Sequence, residues 1–117
     1  MAERDIQDAI RALGVGDLRL FRNQVGTGTT PDGRFIRFGL HPGSPDLIGW
    51  RRMVITPGMV GQTVAIAVGI EVKAARGRVS PEQQTFIEHM QAFGALAGVA
   101  RSAEEAQSIV YPGNMVI

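Results

Sequence analysis

The sequence predicts an α+β domain in which helices pack on a central mixed sheet. Three observations support this class: an amphipathic pattern at the N-terminus, an alternating run of β-branched residues from Gly61 to Lys73, and a capped helix start at Ser80. With 117 residues, of which 44% are apolar, the chain is long enough for one core and too short for two. We therefore expect a single domain over residues 1–117.

The predicted central strand is the run GQTVAIAVGIEVK, residues 61–73. Its even positions from Val64 to Val72 carry Val or Ile, and its odd positions carry small residues that lead to Glu71 and Lys73. Because side chains alternate along a strand, the acid and the base share one face, with Cα atoms roughly 7 Å apart. Both could then reach one metal-bound phosphate.

Lys73 is the only lysine among 12 basic residues, and the other 11 are arginines. Arginine holds a rigid planar fork, whereas a lysine ammonium is a compact point charge that can stand beside a water molecule. This difference favours a chemical role for Lys73. A Glu and a Lys at the end of a strand are also typical of an ordinary solvated surface, so both interpretations stay open.

The N-terminal segment predicts a helix over residues 3–13, with Ile6, Ile10 and Leu13 on one stripe. Glu3 lies one turn before Ile6 on that stripe. A carboxylate near a helix N-terminus is favourable, but its place on an inward-facing stripe is unusual.

Three strands are predicted next, over residues 17–23, 34–40 and 46–55. The Gly/Thr-rich segment 24–33 is predicted as a loop that ends in a Pro-Asp-Gly turn.

The short TPGMVG connection predicts that the third strand and the central strand form an antiparallel hairpin. If Ile55 pairs with Gln62, Asp46 lies opposite Glu71. Two carboxylates that are far apart in the sequence would then meet. A slip of one residue would change the exact pairing, so the proximity is the firmer part of this prediction.

The next helix is predicted to start at Ser80 and to run to about Phe93. Ser80 is the N-cap, Pro81 the first helical residue and Gln83 the third, which is the capping-box arrangement. Gln83 also lies on the apolar stripe of the helix, three residues before Phe86. The sequence therefore allows both a capping role and an inward-facing role for Gln83.

Residues 96–100 predict a short strand, and Ser102 with Glu105 predicts a second capping box before a shorter helix. The apolar tail, residues 110–117, belongs to none of these predicted elements, and one interpretation is that it lies in an interface.

Composition excludes several classes of site. The chain has no cysteine, which removes disulfides and thiolate zinc sites, and its two histidines are far apart. No signal peptide and no run of about 18 apolar residues is present, so we expect a soluble, cytoplasmic protein with no membrane partner.

A net charge of +1 argues neither for nor against a polyanionic partner. The basic residues crowd the middle of the chain, which is compatible with phosphate contact and equally with solvated strand edges. The candidate DNA contacts are Arg22, Arg51, Arg52, Arg76 and Arg78.

Asp46 and Glu71 together can hold Mg²⁺ or Mn²⁺, which prefer oxygen ligands in octahedral geometry. Such an ion stabilises the charge of an in-line displacement at phosphorus. Lys73 would orient or help deprotonate the attacking water. The predicted chemistry is metal-dependent hydrolysis of phosphodiester bonds.

Pro45-Asp46 at the start of one strand and Glu71-Val72-Lys73 at the end of the next resemble the PD-(D/E)XK nuclease superfamily. The more detailed resemblance is to its virus-type replication-repair nuclease domain, VRR-NUC. It rests on an ordered series of motifs: the helix with Glu3, then residues 22–26, 43–50, 69–73, 77–84 and 98–102.

The resemblance implies a restriction-endonuclease-like core and a divalent metal held by Asp46, Glu71 and the main-chain carbonyl of Val72. Lys73 would be the catalytic lysine. Glu3 would be an accessory acid near the metal.

The resemblance also implies that a glutamine of the second helix reaches back to the site. The stripe favours Gln83, and its neighbour Gln84 leaves that choice open.

Stand-alone members of this size resemble phage-type nucleases that act as homodimers on branched DNA, including four-way (Holliday) junctions, in DNA repair and recombination. This resemblance implies a bacterial or phage-infected cell as the location, and no nucleotide cofactor. One alternative is a nuclease that acts on linear duplex or single-stranded DNA. Another is a DNA-binding module of the same fold without catalysis.

Overall fold

The computed structural model describes residues 2–113 of the chain. These residues form three α-helices and six strands, which confirms the α+β class. The elements are α1 Glu3–Arg11, β1 Leu18–Arg22, β2 Gly26–Thr29, β3 Phe35–Phe38, β4 Leu47–Arg51, a 3₁₀ turn Pro57–Met59, β5 Val68–Val72, α2 Pro81–Ala92, β6 Leu96–Ala100 and α3 Ala103–Val110. None of these helices reaches the length and apolarity that a bilayer crossing requires.

The chain divides into two compact units, one up to Met53 and the other from Val54 onward. Within them the described strands form three two-stranded sheets, β1 with β4, β2 with β3, and β5 with β6. That the two units fold as one domain around one sheet stays a prediction.

In the first unit, β1 and β4 are antiparallel, with Arg22 opposite Leu47. The two backbones approach so closely that a Cβ on Gly49 would fall on the main-chain carbonyl of Arg19. Only glycine fits there, since a methyl group cannot occupy the volume of a backbone atom. This close approach fixes the strand that follows Asp46.

One strand of a hairpin, β2, lies in the segment 24–33 that was predicted as a loop, and its partner β3 lies within the predicted strand 34–40. β2 pairs with β3 in antiparallel fashion, with Gly26 opposite Phe38. A Cβ on Gly26 would lie 2.5 Å from an atom of the Phe38 ring, so the aromatic ring covers the position that the glycine leaves empty. Glycine and threonine suggested a loop, but cross-strand packing of this kind overrides weak local preference.

In the second unit, β5 and β6 are parallel, with Glu71 opposite Val99. α2 packs on this pair, and Met90 lies over Gly69, where a Cβ would come within 2.5 Å of its sulfur. The buried apolar residues of the described chain all belong to this unit: Ile87, Met90, Ala97 and Ala100. The core therefore sits between α2 and the β5–β6 pair.

The face of β5 that carries the β-branched residues is not the face that α2 covers. Val68, Ile70 and Val72 are 51%, 36% and 76% exposed, while Gly69 and Glu71 are half-buried. The small residues of the opposite face allow the helix to approach. Glu71 consequently faces α2.

The predicted hairpin between the third strand and the central strand is wrong in its turn region. Among residues 54–67 no strand is formed, and the 3₁₀ turn Pro57–Met59 occupies the centre of the segment. Proline has no N–H for a ladder, and Gly61 has a positive φ of 88°, so the pairing of Ile55 with Gln62 does not form. The register argument that placed Asp46 opposite Glu71 is lost with it.

α1 ends at Arg11, two residues earlier than predicted. Its stripe is exposed: Ile6 and Ile10 are 45% and 42% accessible, and Glu3 is also exposed. The inward-facing stripe was therefore wrong for the described structure. Gln7, whose side chain accepts a hydrogen bond from Arg22, is the half-buried residue of α1.

The C-terminal elements match the prediction closely, and β6 has the predicted bounds. Ser102 caps α3 by accepting a hydrogen bond from the Glu105 N–H at 3.1 Å. The Glu105 side chain, however, accepts from the N–H of Arg101 rather than from that of Ser102. Within the predicted apolar tail, residues 114–117 lie outside the described part of the chain.

Candidate active site

Glu71, Lys73 and Gln83 form a contiguous group in the second unit, which we call the β5–α2 cluster. Glu71 Oε1 lies 3.4 Å from Lys73 Nζ and accepts a hydrogen bond of 3.0 Å from Gln83 Nε2. The Lys73 and Glu71 side chains are 21% and 32% exposed. Because both are shielded from bulk water, solvent screens their attraction less than it screens a surface pair.

The cluster forms because strand and helix signals converge on one point. Glu71 and Lys73 are two residues apart on β5 and therefore share a face, as the alternation predicts. Gln83 caps its own helix with its side-chain oxygen, which accepts from the Ser80 N–H at 2.9 Å, and uses its amide nitrogen for Glu71. The capping role and the inward-facing role are both filled by the same side chain.

Of the two neighbouring glutamines, Gln83 is the one whose side chain bonds to Glu71. Gln84 donates a hydrogen bond to Glu88, one turn along the exposed face of α2. An amide that is bonded to both Ser80 and Glu71 has little rotational freedom. Gln83 therefore fixes the rotamer of Glu71 relative to the helix.

The stem of Lys73 is supported by a turn. The Gly77 N–H donates to the Ala74 carbonyl at 2.9 Å, and a Cβ on Gly77 would lie 3.3 Å from the Lys73 Cβ. Arg101 Nη1 donates to the same Ala74 carbonyl at 2.5 Å. The turn packs along the aliphatic part of the lysine and leaves the ammonium directed to Glu71.

The main-chain carbonyl of Val72 lies on the open edge of β5. The Ala67 carbonyl and the Lys73 N–H both bond to β6. Since successive residues of a strand direct their backbone groups to opposite edges, the Val72 carbonyl is directed away from β6. No ladder forms on that edge among the described residues. The carbonyl is therefore available as a ligand.

Asp46 lies at the start of β4 in the first unit, and its main-chain carbonyl accepts from the Asn23 N–H at 2.8 Å. It lines an open cleft of about 300 Å³ together with Gln7, Arg22, Asn23 and Ser44. The Asp46 side chain is exposed, and within the described part of its unit the carboxylate makes no hydrogen bond or ion pair. It is free to bind a ligand.

The structure brings three of the five predicted catalytic residues together within the second unit, and the other two belong to the first unit. Glu71, Lys73 and Gln83 belong to the second unit, whereas Asp46 and Glu3 belong to the first. Glu3 lies in the exposed first turn of α1. A site that combines all five stays a prediction.

The five candidate arginines differ in how they are held. Arg22 donates to Gln7 at 3.1 Å beside the Asp46 cleft, and Arg52 forms an ion pair with Asp17 at 3.1 Å that offsets its charge. The other three are exposed: Arg51, Arg76 and Arg78. All remain candidates for phosphate contact.

The donors present suit a hard divalent cation. Glu71 uses Oε1 for both of its bonds, so Oε2 is free of partners within the described part of its unit. Oxygen donors of Asp46, Glu71 and the Val72 carbonyl are the type that Mg²⁺ and Mn²⁺ prefer. Neither unit, over its described residues, holds three or more His, Cys, Asp or Glu side chains grouped as metal ligands.

Asn23 is a residue whose role sequence reasoning missed. It is 7% exposed, and it binds the segment that carries Asp46. One signal was available, since asparagine is depleted in strands and here is the last residue of the predicted strand 17–23. Such a position indicates a side chain that bonds to backbone.

Comparison with known proteins identifies the family. The family model of the VRR-NUC domain matches residues 28–104, about two thirds of the chain, and the match includes Asp46 and the β5–α2 cluster. No curated protein and no solved structure matches the chain. The resemblance seen in the sequence motifs is thereby confirmed. The chain belongs to the VRR-NUC family, and it is a nuclease domain of the PD-(D/E)XK type with DNA as its substrate.

Proposed function

We propose that the protein is a Mg²⁺- or Mn²⁺-dependent endonuclease that hydrolyses phosphodiester bonds in branched DNA. The observation that carries this proposal is the β5–α2 cluster, in which one oxygen of Glu71 is bonded by both Lys73 and Gln83. Asp46, Glu71 and the Val72 carbonyl are the proposed metal ligands. Glu3 is a further, accessory acid.

The cluster prepares Glu71 for this role by orienting it. Two donors on Oε1 fix the carboxylate plane and leave Oε2 for the metal. Preorganised ligands lose less conformational entropy on binding, and partners of ligating carboxylates commonly hold them in place in this way.

A bound divalent ion would lower the pKa of a water molecule and neutralise charge on the phosphoryl oxygens. Lys73 acts beside it as a fixed positive charge. Its ammonium donates to the attacking water or to a non-bridging oxygen and offsets the negative charge that grows in the transition state. One phosphorus–oxygen bond of the backbone breaks as the water oxygen bonds to phosphorus, and the departing oxygen takes up a proton.

Branched DNA and a homodimer are the finer parts of the proposal. A two-fold dimer places two sites for paired cuts on a four-way junction, which is itself roughly two-fold. Exposed arginines, among them Arg51, Arg76 and Arg78, are available to contact the phosphates of the arms. Recognition by shape needs no contacts to bases.

A cleavage assay tests the proposal. A synthetic four-way junction and linear duplexes with the same arm sequences are incubated with Mg²⁺, Mn²⁺ or chelator. We expect metal-dependent cleavage that favours the junction and is lost in Glu71→Ala and Asp46→Ala. The control is Glu88→Ala, which removes a carboxylate of α2 that bonds to Gln84.

Two results would contradict the proposal. Full activity of Glu71→Ala or Asp46→Ala, with folding checked by circular dichroism, would remove the proposed site. Equal rates on junction and linear duplex would remove the preference for branched DNA and favour a nuclease of linear DNA instead.

A further inference from the structure

Asn23 is the one buried polar side chain among residues 2–113, with 7% of its surface exposed. It directly follows β1 and lines the same cleft as Asp46. A buried amide is costly unless its donors and acceptor are satisfied. Its partners therefore indicate what the residue does.

Every hydrogen bond of Asn23 goes to the segment that leads to Asp46. Its side-chain nitrogen donates to Ser44 Oγ and to the Pro45 carbonyl, both at 2.8 Å. Its side-chain oxygen accepts from the Leu40 N–H at 3.0 Å, and its main-chain N–H donates to the Asp46 carbonyl at 2.8 Å. One residue thus holds both ends of the segment from Leu40 to Asp46.

The partners also fix the orientation of the amide. The Pro45 carbonyl can only accept and the Leu40 N–H can only donate, so nitrogen and oxygen cannot exchange places. Ser44 extends the network, because its Oγ also accepts from the His41 N–H at 3.3 Å. No other residue type of this size offers two donors and one acceptor in this arrangement.

Asp46 depends on this network for its position. Its carboxylate has no side-chain partner within the described part of its unit, in contrast to Glu71. What holds it is the main chain, and two successive carbonyls, those of Pro45 and Asp46, are bonded by Asn23. A ligand that is held only through its backbone moves when the backbone moves.

We propose that Asn23 is a positioning residue that holds Asp46 in the geometry required to bind the catalytic divalent ion. The inference rests on the proposed function, since it takes Asp46 to be a metal ligand. Asn23 acts through Asp46 and needs no contact with DNA. Partners of this kind commonly affect metal affinity by roughly 10- to 100-fold.

The sharpest test is Asn23→Asp, which keeps the size and one acceptor but replaces the donor nitrogen. The amide nitrogen that donates to the Pro45 carbonyl at 2.8 Å would be replaced by a carboxylate oxygen. Two hydrogen-bond acceptors would then face each other at this distance and repel each other. We expect the Mn²⁺ dissociation constant, measured by calorimetric titration without DNA, to rise roughly 10- to 100-fold, and the Mn²⁺ concentration for half-maximal cleavage to rise with it.

Ser44→Ala is the second variant, and it keeps the test informative if Asn23→Asp does not fold. It removes one of the two acceptors of the amide nitrogen and leaves the Pro45 carbonyl in place. The expected rise in the Mn²⁺ requirement is smaller, about 3-fold, and has the same direction. The KM for DNA should change little in both variants.

A merely structural role would give a different pattern. Because the apparent metal affinity falls in proportion to the folded fraction, a variant that circular dichroism shows to be at least about nine-tenths folded changes its Mn²⁺ requirement through unfolding by only about 1.1-fold. Gln84→Glu serves as the matched exchange of an amide for an acid, because the side chain of Gln84 bonds to the exposed side chain of Glu88 and to no residue of the Asp46 segment. It should keep the Mn²⁺ requirement of the wild type.

The results separate this inference from the proposed function. If Asp46→Ala is inactive while folded Asn23→Asp and Ser44→Ala keep the wild-type Mn²⁺ requirement, Asn23 is not a positioning residue and the proposed site stands. If Asp46→Ala cleaves normally, the proposed site itself fails. A raised Mn²⁺ requirement in both Asn23→Asp and Ser44→Ala, with Asp46→Ala inactive, supports both.

Discussion

Glu71 and Asp46, the two side chains proposed as metal ligands, are held in different ways within their own units. Glu71 is fixed by side chains, with Lys73 and Gln83 both bonded to its Oε1 atom. Asp46 is fixed by its main chain, through bonds that Asn23 makes to two successive carbonyls. One arrangement is a network of side chains on a strand and a helix. The other is an exposed carboxylate on a segment whose main chain is held by hydrogen bonds from Asn23.

This difference predicts that substitutions near the two carboxylates will have different effects. A carboxylate that already has a cation and an amide on one oxygen is oriented before any ligand arrives. A carboxylate without side-chain partners gains its strongest interaction only from the ligand. Substitutions in the β5–α2 cluster should therefore affect catalysis directly, whereas substitutions around Asp46 should act on metal binding through the position of the Asp46 backbone.

Among Lys73→Arg, Gly49→Ala and Gln83→Glu, the largest expected effect is from Lys73→Arg, which keeps the charge and changes the shape. The guanidinium is planar and larger than an ammonium, and Gly77 packs against the stem. We expect the maximal cleavage rate to fall roughly 100- to 1,000-fold, the scale for loss of one preorganised donor.

The matched control for Lys73→Arg is the reverse exchange Arg4→Lys, on the exposed helix α1. It should leave the rate unchanged. A rate for Lys73→Arg within threefold of wild type would contradict a chemical role for the ammonium.

Gly49→Ala should have the next largest effect, and it should act on the first unit. The added methyl would collide with the Arg19 carbonyl, so β1 and β4 must separate, at a cost of about 1–3 kcal/mol. Hydrogen exchange should show loss of protection in β1 and β4, with β5 and β6 less affected.

Gly58→Ala is the control, because a Cβ at Gly58 meets nothing within 4 Å. It should be nearly neutral in a urea titration. Equal stability of Gly49→Ala and Gly58→Ala would contradict the close approach of the two strands.

The smallest of these three expected effects is from Gln83→Glu, which keeps the capping oxygen and removes the amide donor to Glu71. Two carboxylates would then face each other, and we expect the maximal rate to fall roughly 10-fold. Gln84→Glu, one residue along the same helix, should behave as wild type. A similar loss in both variants would mean that added charge on α2, rather than the bond to Glu71, causes the effect.

Local signals were enough to predict much of the second unit. Ser80 and Gln83 form the predicted capping box, and β6 has the predicted bounds, because capping and alternation depend on neighbouring residues. The shared face of Glu71 and Lys73 follows from the same alternation. This half of the site could therefore be predicted from residues close together in the sequence.

Strand partners could not be predicted in the same way, since they depend on contacts between distant residues. β4 pairs with β1, and Gly49 allows the two backbones to approach closely. No local pattern indicates which strand will lie next to a glycine. β2 was missed because its stability comes from the Phe38 ring over Gly26. Asn23 was missed because its four bonds reach residues 17 to 23 positions away.

The central claim is that Asp46 and Glu71 bind the same divalent ion. Calorimetric titration of Mn²⁺ into the wild type, Asp46→Ala, Glu71→Ala and the double variant tests it without DNA or turnover. Two ligands of one ion give strongly non-additive losses, so each single variant should lose nearly as much Mn²⁺ affinity as the double variant. Losses that add, or one single variant that binds Mn²⁺ as the wild type does, would contradict a shared metal site.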